Sequence, residues 1–198
     1  MPQNAELVFF SKWLQAPLRV ASVTPSSAHL ARAMAAALPA GDGLVVELGG
    51  GTGPITQALL DTGLDADHLT VIERDPHFCR YLEKRFNIAR LICGDALDLQ
   101  TLIREQVGGM PVRAVVSGLP LLTMSPVLQR NLLDQALALT HGLGPFIQFS
   151  YGWGSPLKSS VRASLGLSAR CAAHVWRNVP PAKVWVYETQ HADDLAGI

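Results

Sequence analysis

The sequence has no surplus of charge of either sign: its 198 residues carry 16 Lys and Arg against 16 Asp and Glu. A protein that grips nucleic acid over its whole surface needs a broad basic excess, so that class is excluded and a charged partner must be met by a local patch. Cysteine is scarce. Cys79, Cys93 and Cys171 stand far apart, without a Cys-x-x-Cys pair or a His at ligand spacing, which predicts neither a disulfide framework nor a zinc site but separate thiols in a reducing cytosol. Long hydrophobic runs are also missing, since charges, Gly or Pro interrupt every apolar stretch within about ten residues and a bilayer-spanning helix needs roughly 20. The N-terminal segment lacks the basic, apolar and small-residue regions of a secretory signal, so a cytoplasmic protein is expected.

What is present describes one globular domain. Hydrophobic residues make up 48% of the chain, enough for a sizeable core, and no internal repeat or linker interrupts it. Charge is unevenly spread: residues 1–110 hold 9 basic and 12 acidic residues, whereas 111–187 hold 7 basic residues and only Asp134 among acids. Lys158, Arg162, Arg170, Arg177 and Lys183 fall in the acid-free stretch 145–187, and a basic face there would attract anionic groups.

The periodicity predicts the fold class. Over residues 3–16, Leu7, Phe10 and Leu14 recur at helical spacing beside Val8, Phe9 and Trp13, giving an unusually aromatic amphipathic helix that ends before Pro17. Residues 1–20 are therefore read as an interfacial or lid helix, and 21–198 as the main domain. Thr24-Pro25-Ser26-Ser27 opens a second helix that stops near Pro39-Ala40-Gly41. From Gly43 onward, short apolar runs alternate with helical segments: GLVVELGGGTG, HLTVIERD, ARLICGD, VRAVVSGLP and PFIQFSYG read as strands, each followed by a helical pattern. Such alternation predicts an α/β Rossmann-like fold with a mostly parallel sheet and helices on both faces. ARCAAHVWRNV and AKVWVYETQ, separated by Pro180-Pro181, read as an antiparallel closing pair that completes seven strands.

In open α/β sheets the ligand sits beyond the carboxyl ends of the strands. The first strand ends in Glu47-Leu48-Gly49-Gly50-Gly51-Thr52-Gly53, where glycines permit a tight turn and close approach of a ligand to the backbone. The second ends in Glu73-Arg74, a carboxylate about twenty residues on that can accept both hydroxyls of a ribose. Asp95-Ala96 follows the third strand, where an acid can accept a hydrogen bond from an exocyclic amine such as that of adenine. Ser117-Gly118-Leu119-Pro120 follows the fourth, a rigid small-residue turn where a second substrate would meet the first. Singly, each has a plain structural reading as a tight turn or a solvated turn carboxylate; their joint order and spacing carry the signal.

That order resembles the class I S-adenosylmethionine-dependent methyltransferases. Three further segments, Val20-Ala21-Ser22-Val23-Thr24-Pro25-Ser26-Ser27, Ser117-Gly118-Leu119-Pro120-Leu121-Leu122 and Gln148-Phe149-Ser150-Tyr151-Gly152, are similar to those of bacterial phospholipid N-methyltransferases, which convert phosphatidylethanolamine stepwise to phosphatidylcholine. That family is itself related to the ribosomal RNA adenine dimethyltransferases. The resemblance implies S-adenosylmethionine as cofactor, bound by Glu47, Gly49, Gly51, Gly53, Glu73, Arg74, Asp95 and Ala96, with Ser22, Thr24, Pro25 and Ser117 bordering its methionine end. Gly50 stands where relatives often have Pro, and Thr123-Met124 where a polar residue is frequent.

It further implies that Tyr151, with the backbone around Ser117 and Gly118, orients the acceptor amine, and that aromatic faces of Tyr151 or Trp153 favour the methylated cation. Phe9, Phe10 and Trp13 would meet an anionic membrane surface from the cytoplasmic side, with Arg177, Lys183 and Lys158 near the lipid phosphate. The RNA enzymes instead carry an Asn-x-Pro-aromatic turn at the fourth strand and a helical extension, neither of which this sequence has. The reading is therefore a phospholipid substrate at a membrane, with no nucleic acid and no metal. Methylation of another amino lipid such as ornithine lipid, RNA adenine methylation and a non-catalytic cofactor-binding module are the alternatives.

Overall fold

The computed structural model describes residues 25–88, 90–104, 109–151 and 154–190, with residues 25–27 described as backbone only. The helix expected over 3–16 lies outside the described residues. Seven strands form one sheet in the order β3-β2-β1-β4-β5-β7-β6: β1 (Leu44–Leu48), β2 (Leu69–Glu73), β3 (Arg90–Cys93), β4 (Val112–Ser117), β5 (Phe146–Tyr151), β6 (Leu167–Val175) and β7 (Ala182–Thr189). The first five are mutually parallel; β7 runs antiparallel between β5 and β6. The expected seven-stranded sheet with an antiparallel closing pair is the architecture observed.

The helices are α1 (Pro25–Ala35), α2 (Pro54–Asp61), α3 (Pro76–Arg85), α4 (Leu99–Arg104), α5 (Pro126–Leu139) and α6 (Ser159–Ser164). Their starts are written in local chemistry. Proline opens α3, where its missing N–H costs nothing, and the Asp75 carboxylate accepts from the His77 amide at 2.7 Å. Ser125 and Pro126 start α5 in the same way. Lys84 and Arg85 close α3, complementing the helix dipole.

Both faces of the sheet are covered, which is why all five residues of β1 are buried and the strand reads as an apolar run, broken by Glu47, rather than an alternating one. One layer packs Met34, Ile55, Leu59 and Leu82 from α1, α2 and α3 on Val45, Val116, Ile147 and Val184. The other packs Leu99, Ile103, Leu132 and Leu133 from α4 and α5 on Val46, Leu48, Val115 and Phe146. Burial of this kind contributes about 25 cal/mol per Å² of apolar surface and fixes the strand ends as a rigid platform. Three short 3-10 turns, at Ala66–His68, Ala96–Asp98 and Leu121–Thr123, occupy loops in which the periodicity indicated no helix. Two of them sit on the edge that carries the site.

Candidate active site at the carboxyl edge of the sheet

The turn after β1 is held from three sides. The Gly49 amide donates to the carbonyl of Ile72 at 2.8 Å, Gly118 donates to that of Leu48 at 2.8 Å, and Arg85 reaches across to the carbonyl of Thr52 at 3.0 Å. Gly51 has φ 54, a backbone region that favours glycine, and a side chain there would meet nothing within 4 Å, so this part of the turn faces open space. Gly50 is different: a Cβ would come within 2.6 Å of Val71 Cγ1 and 2.8 Å of Leu82 Cδ1. The residue that departs from the family's proline is thus a close contact between loop and core.

Glu47 lies wholly inside. Its Oε2 accepts from the Thr56 hydroxyl at 2.7 Å, while Oε1 has no protein partner. Desolvation raises its pKa from 4.5 to about 7, and the nearby Glu73 charge pushes the same way against the Thr56 hydrogen bonds. Thr56, on the first turn of α2, escaped the sequence reading because a threonine inside an apolar helix gives no pattern of its own.

Glu73 ends β2 as expected, and its carboxylate also holds the local backbone together. Its Oε2 accepts from the Gly51 amide at 2.8 Å and its Oε1 from the Asp75 amide at 2.8 Å, so one carboxylate ties the glycine turn to the start of α3. Each oxygen keeps a further lone pair for a ligand. Asp95 caps the Ala96–Asp98 turn, accepting from the Leu97 amide at 3.0 Å, and its other oxygen meets Arg74 at 3.3 Å. Arg74 is largely exposed, so this pair contributes little on its own. Ala96 is buried beneath the turn. The carboxylates of Glu47, Glu73 and Asp95 therefore share one edge, around a glycine loop.

On the adjoining part of that edge, Ser117 ends β4. Its side chain is buried and its hydroxyl accepts from the Leu119 amide at 3.2 Å, so it shapes the Ser117–Pro120 turn. Gly118 is pressed against the glycine turn after β1: a Cβ there would sit 2.8 Å from the Gly49 carbonyl. Gln148, one strand over, donates from Nε2 to the Leu119 carbonyl at 3.0 Å, while its buried Oε1 has no partner. The sequence pattern assigns it no role; the β4–β5 register, Ser117 against Gln148, reveals one. Gln129 of α5 similarly clamps Leu121 and Pro156 through Nε2.

Tyr151 ends β5, half-buried and edge-on to Phe149 with ring centroids 5.3 Å apart. Burial raises its pKa above 10, partly offset by a hydrogen bond shared with Asn178, so at neutral pH it is an uncharged phenol. Asn178 lies in the β6–β7 hairpin turn, which is thereby fastened to the end of β5. Arg177 is exposed in that turn, Lys183 is half-exposed near the start of β7, and Lys158 is exposed before α6. The five strand-end sites, from Glu47 to Tyr151, are brought together; Ser22, Thr24, Phe9, Phe10, Trp13 and Trp153 lie outside the described residues, and Pro25 is described only as the first residue of α1.

One expectation is corrected. Cys79 and Cys93, read as unrelated thiols, are paired as a disulfide with Cα atoms 6.0 Å apart, because α3 folds back over β2 and sets Cys79 beside the end of β3. A separation of 14 residues conceals this neighbourhood in the sequence. Cys171 is the free cysteine. Among the described residues no group of His, Cys, Asp or Glu could hold a metal ion, and no helix is long and apolar enough to cross a membrane.

A seven-stranded sheet of this order, with a glycine turn and a ring of acceptors at its carboxyl edge, defines a nucleoside-cofactor fold of the methyltransferase kind. Solved structures with the same fold include a TehB-like S-adenosylmethionine-dependent methyltransferase of Corynebacterium glutamicum, with TM-score 0.60, 18% identity and coverage of 95% of this chain and 100% of that one. Another is the 1,6-didemethyltoxoflavin N1-methyltransferase of Burkholderia thailandensis with bound S-adenosylhomocysteine, with TM-score 0.61, 16% identity and coverage of 96% and 91%.

Among curated proteins, the ornithine lipid N-methyltransferase of Singulisphaera acidiphila is 37% identical over 147 residues, covering 72% of this chain and 76% of that protein. A probable ribosomal RNA small subunit methyltransferase A of Natronomonas pharaonis is 44% identical over only 61 residues, 28% of this chain and 21% of that protein. No protein-family model matches the chain. The chain belongs to the class I S-adenosylmethionine-dependent methyltransferases, in the family that includes the Singulisphaera enzyme.

Proposed function

We propose that this protein N-methylates the amine of ornithine lipid, using S-adenosylmethionine at a membrane surface. The observation that carries the reading is the 37% identity, over most of both chains, to an ornithine lipid N-methyltransferase. It reverses the order expected from the sequence, in which phosphatidylethanolamine stood first and ornithine lipid second.

The residues present fit the cofactor. Glu73 accepts from the ribose hydroxyls, Asp95 from the adenine amine above Ala96, and the open face at Gly51 admits the backbone of the ligand. The unpartnered Oε1 of Glu47 is suited to a donor on the cationic methionine end. When bound, S-adenosylmethionine supplies a methyl group made electrophilic by its sulfonium. The protein's work is alignment: the Ser117–Pro120 turn, pinned by Gln148, and the Tyr151 phenol fix the acceptor nitrogen in line with that methyl. The amine must lose its proton before attack, and with Tyr151 held protonated that proton leaves to water. Arg177 and Lys183 supply charge for the anionic part of the head group, whether a carboxylate or a phosphate.

Methyl transfer from labelled S-adenosylmethionine to vesicles containing ornithine lipid, beside phosphatidylethanolamine vesicles and lipid-free controls, tests the reading. Label in ornithine lipid is expected. Label only in phosphatidylethanolamine moves the head group to the other amino lipid, and label in neither overturns the lipid reading.

A further inference from the structure

The β6–β7 hairpin turn carries the two most exposed large apolar residues of its region at one tip: Trp176 is 66% and Val179 82% exposed. Such side chains in water cost free energy unless something covers them. The turn is fixed in place. Asn178 is buried between them, its amide donates to the Val175 carbonyl at 3.3 Å, and its side chain donates to the Pro180 carbonyl at 2.6 Å. With Asn178 also joined to Tyr151, the two apolar groups are held outward by the same residue that ties the turn to the sheet.

The register fixes where the tip points. Tyr151 at the end of β5 pairs with Ala182 at the start of β7, which pairs with Val175 at the end of β6. The turn therefore extends beyond the carboxyl edge, on the side where the acceptor must enter. Exposed His174 and Arg177 flank it, Lys183 follows it, and no acid occurs anywhere from 145 to 187. An aromatic and aliphatic tip with Arg177 and Lys183 beside it has the chemistry of the bilayer interface, where Trp sits at head-group level and Lys or Arg meets anionic lipid.

We propose that the hairpin tip, Trp176 with Val179 flanked by Arg177, inserts into an anionic lipid surface and brings the acceptor edge against it. The proposal rests on the lipid reading for its purpose and on the exposed tip for its substance. Docking through this tip turns the carboxyl edge that carries Ser117 and Tyr151 toward the head groups, so an amino lipid reaches the site without leaving the bilayer.

Sedimentation of the full chain with vesicles of phosphatidylcholine containing phosphatidylglycerol, and with phosphatidylcholine alone, tests this. The Trp176→Ala/Val179→Ser variant should bind both vesicles about tenfold more weakly, while its affinity for S-adenosylmethionine is unchanged. Arg177→Ala should weaken binding about fivefold on the anionic vesicles alone. Bromine-labelled lipid should quench the tryptophan emission of the wild type more than that of Trp176→Phe, a change that leaves the fold intact. Equal sedimentation of wild type and double variant, or equal quenching in wild type and Trp176→Phe, would overturn the proposal even where lipid methylation stands. A double variant that alters the self-association of the chain and not its vesicle binding would do the same, assigning the tip to a second copy. Vesicle binding through the tip without methyl transfer to any lipid would fault the proposed reaction and leave the surface in place.

Discussion

The half of the sheet built from β1 to β3 and the half built from β4 to β7 treat charge in opposite ways. The first ends its strands in carboxylates, Glu47, Glu73 and Asp95, and each is engaged by named donors: Thr56, the Gly51 and Asp75 amides, Arg74 and the Leu97 amide. The second ends β4 in a buried serine and β5 in a phenol, with the Gln148 amide inside β5, and its stretch from 145 to 187 is basic and free of acid. Recognising a nucleoside that presents hydroxyls and amines takes acceptors; receiving an amine next to an anionic group takes neutral hydrogen-bonding groups and nearby cations. In the proposed function the fold thus divides into a cofactor half and an acceptor half, and changes in the two halves should have separable consequences.

The largest separation is expected at Glu73. Glu73→Ala removes the ribose acceptor and also frees the glycine turn from β2, so S-adenosylmethionine affinity should fall about 100-fold, from two charge-assisted hydrogen bonds, with a loss of stability of about 1–3 kcal/mol. Isothermal titration and thermal melting check the two effects. A variant that keeps wild-type affinity would refute the assignment.

Glu47 gives the cofactor half a pH dependence of its own. Its folded pKa, about 7, stands above the ordinary 4.5, so the apo protein loses stability as pH rises from about 4.5 through 7. A cationic ligand favours the charged form, so S-adenosylmethionine should bind about tenfold more tightly at pH 8 than at pH 6, with a proton released on binding near neutrality. Glu47→Gln should flatten that profile. A wild-type affinity independent of pH over this range would contradict the placement of Glu47 against the cofactor.

Gln148 tests the other half. Gln148→Leu unpins the Leu119 carbonyl from β5 and should lower kcat about fivefold while leaving cofactor affinity unchanged, which steady-state kinetics beside a binding titration would resolve. The smallest effect is expected at Arg74. Its exposed pair with Asp95 is worth less than about 1 kcal/mol, so Arg74→Ala should change cofactor affinity by no more than about threefold.

The cofactor half was the more legible of the two in the sequence. A glycine cluster after an apolar run, followed by Glu73 and then Asp95 at strand ends, is a local pattern whose chemistry can be read in order along the chain. Even there, three features needed the fold. Thr56 as the partner of Glu47, the close approach of Gly50 to Val71 and Leu82, and the pairing of Cys79 with Cys93 all join residues through tertiary contacts that periodicity does not encode. In the acceptor half, the turn at Ser117 and the aromatic at Tyr151 were visible. Gln148 and Asn178 were not, because a single amide in a strand or hairpin turn acquires meaning only when the register brings it to a neighbour.

The central claim, that the acceptor half serves the amine of ornithine lipid, is tested most directly in cells. Lipids extracted from a bacterium that makes both ornithine lipid and phosphatidylethanolamine but methylates neither, with and without this chain, would be compared by mass spectrometry. The account predicts new ornithine lipid species, each heavier by one or more methylene increments, that disappear with Glu73→Ala. Increments on phosphatidylethanolamine alone, or on no lipid, would contradict it.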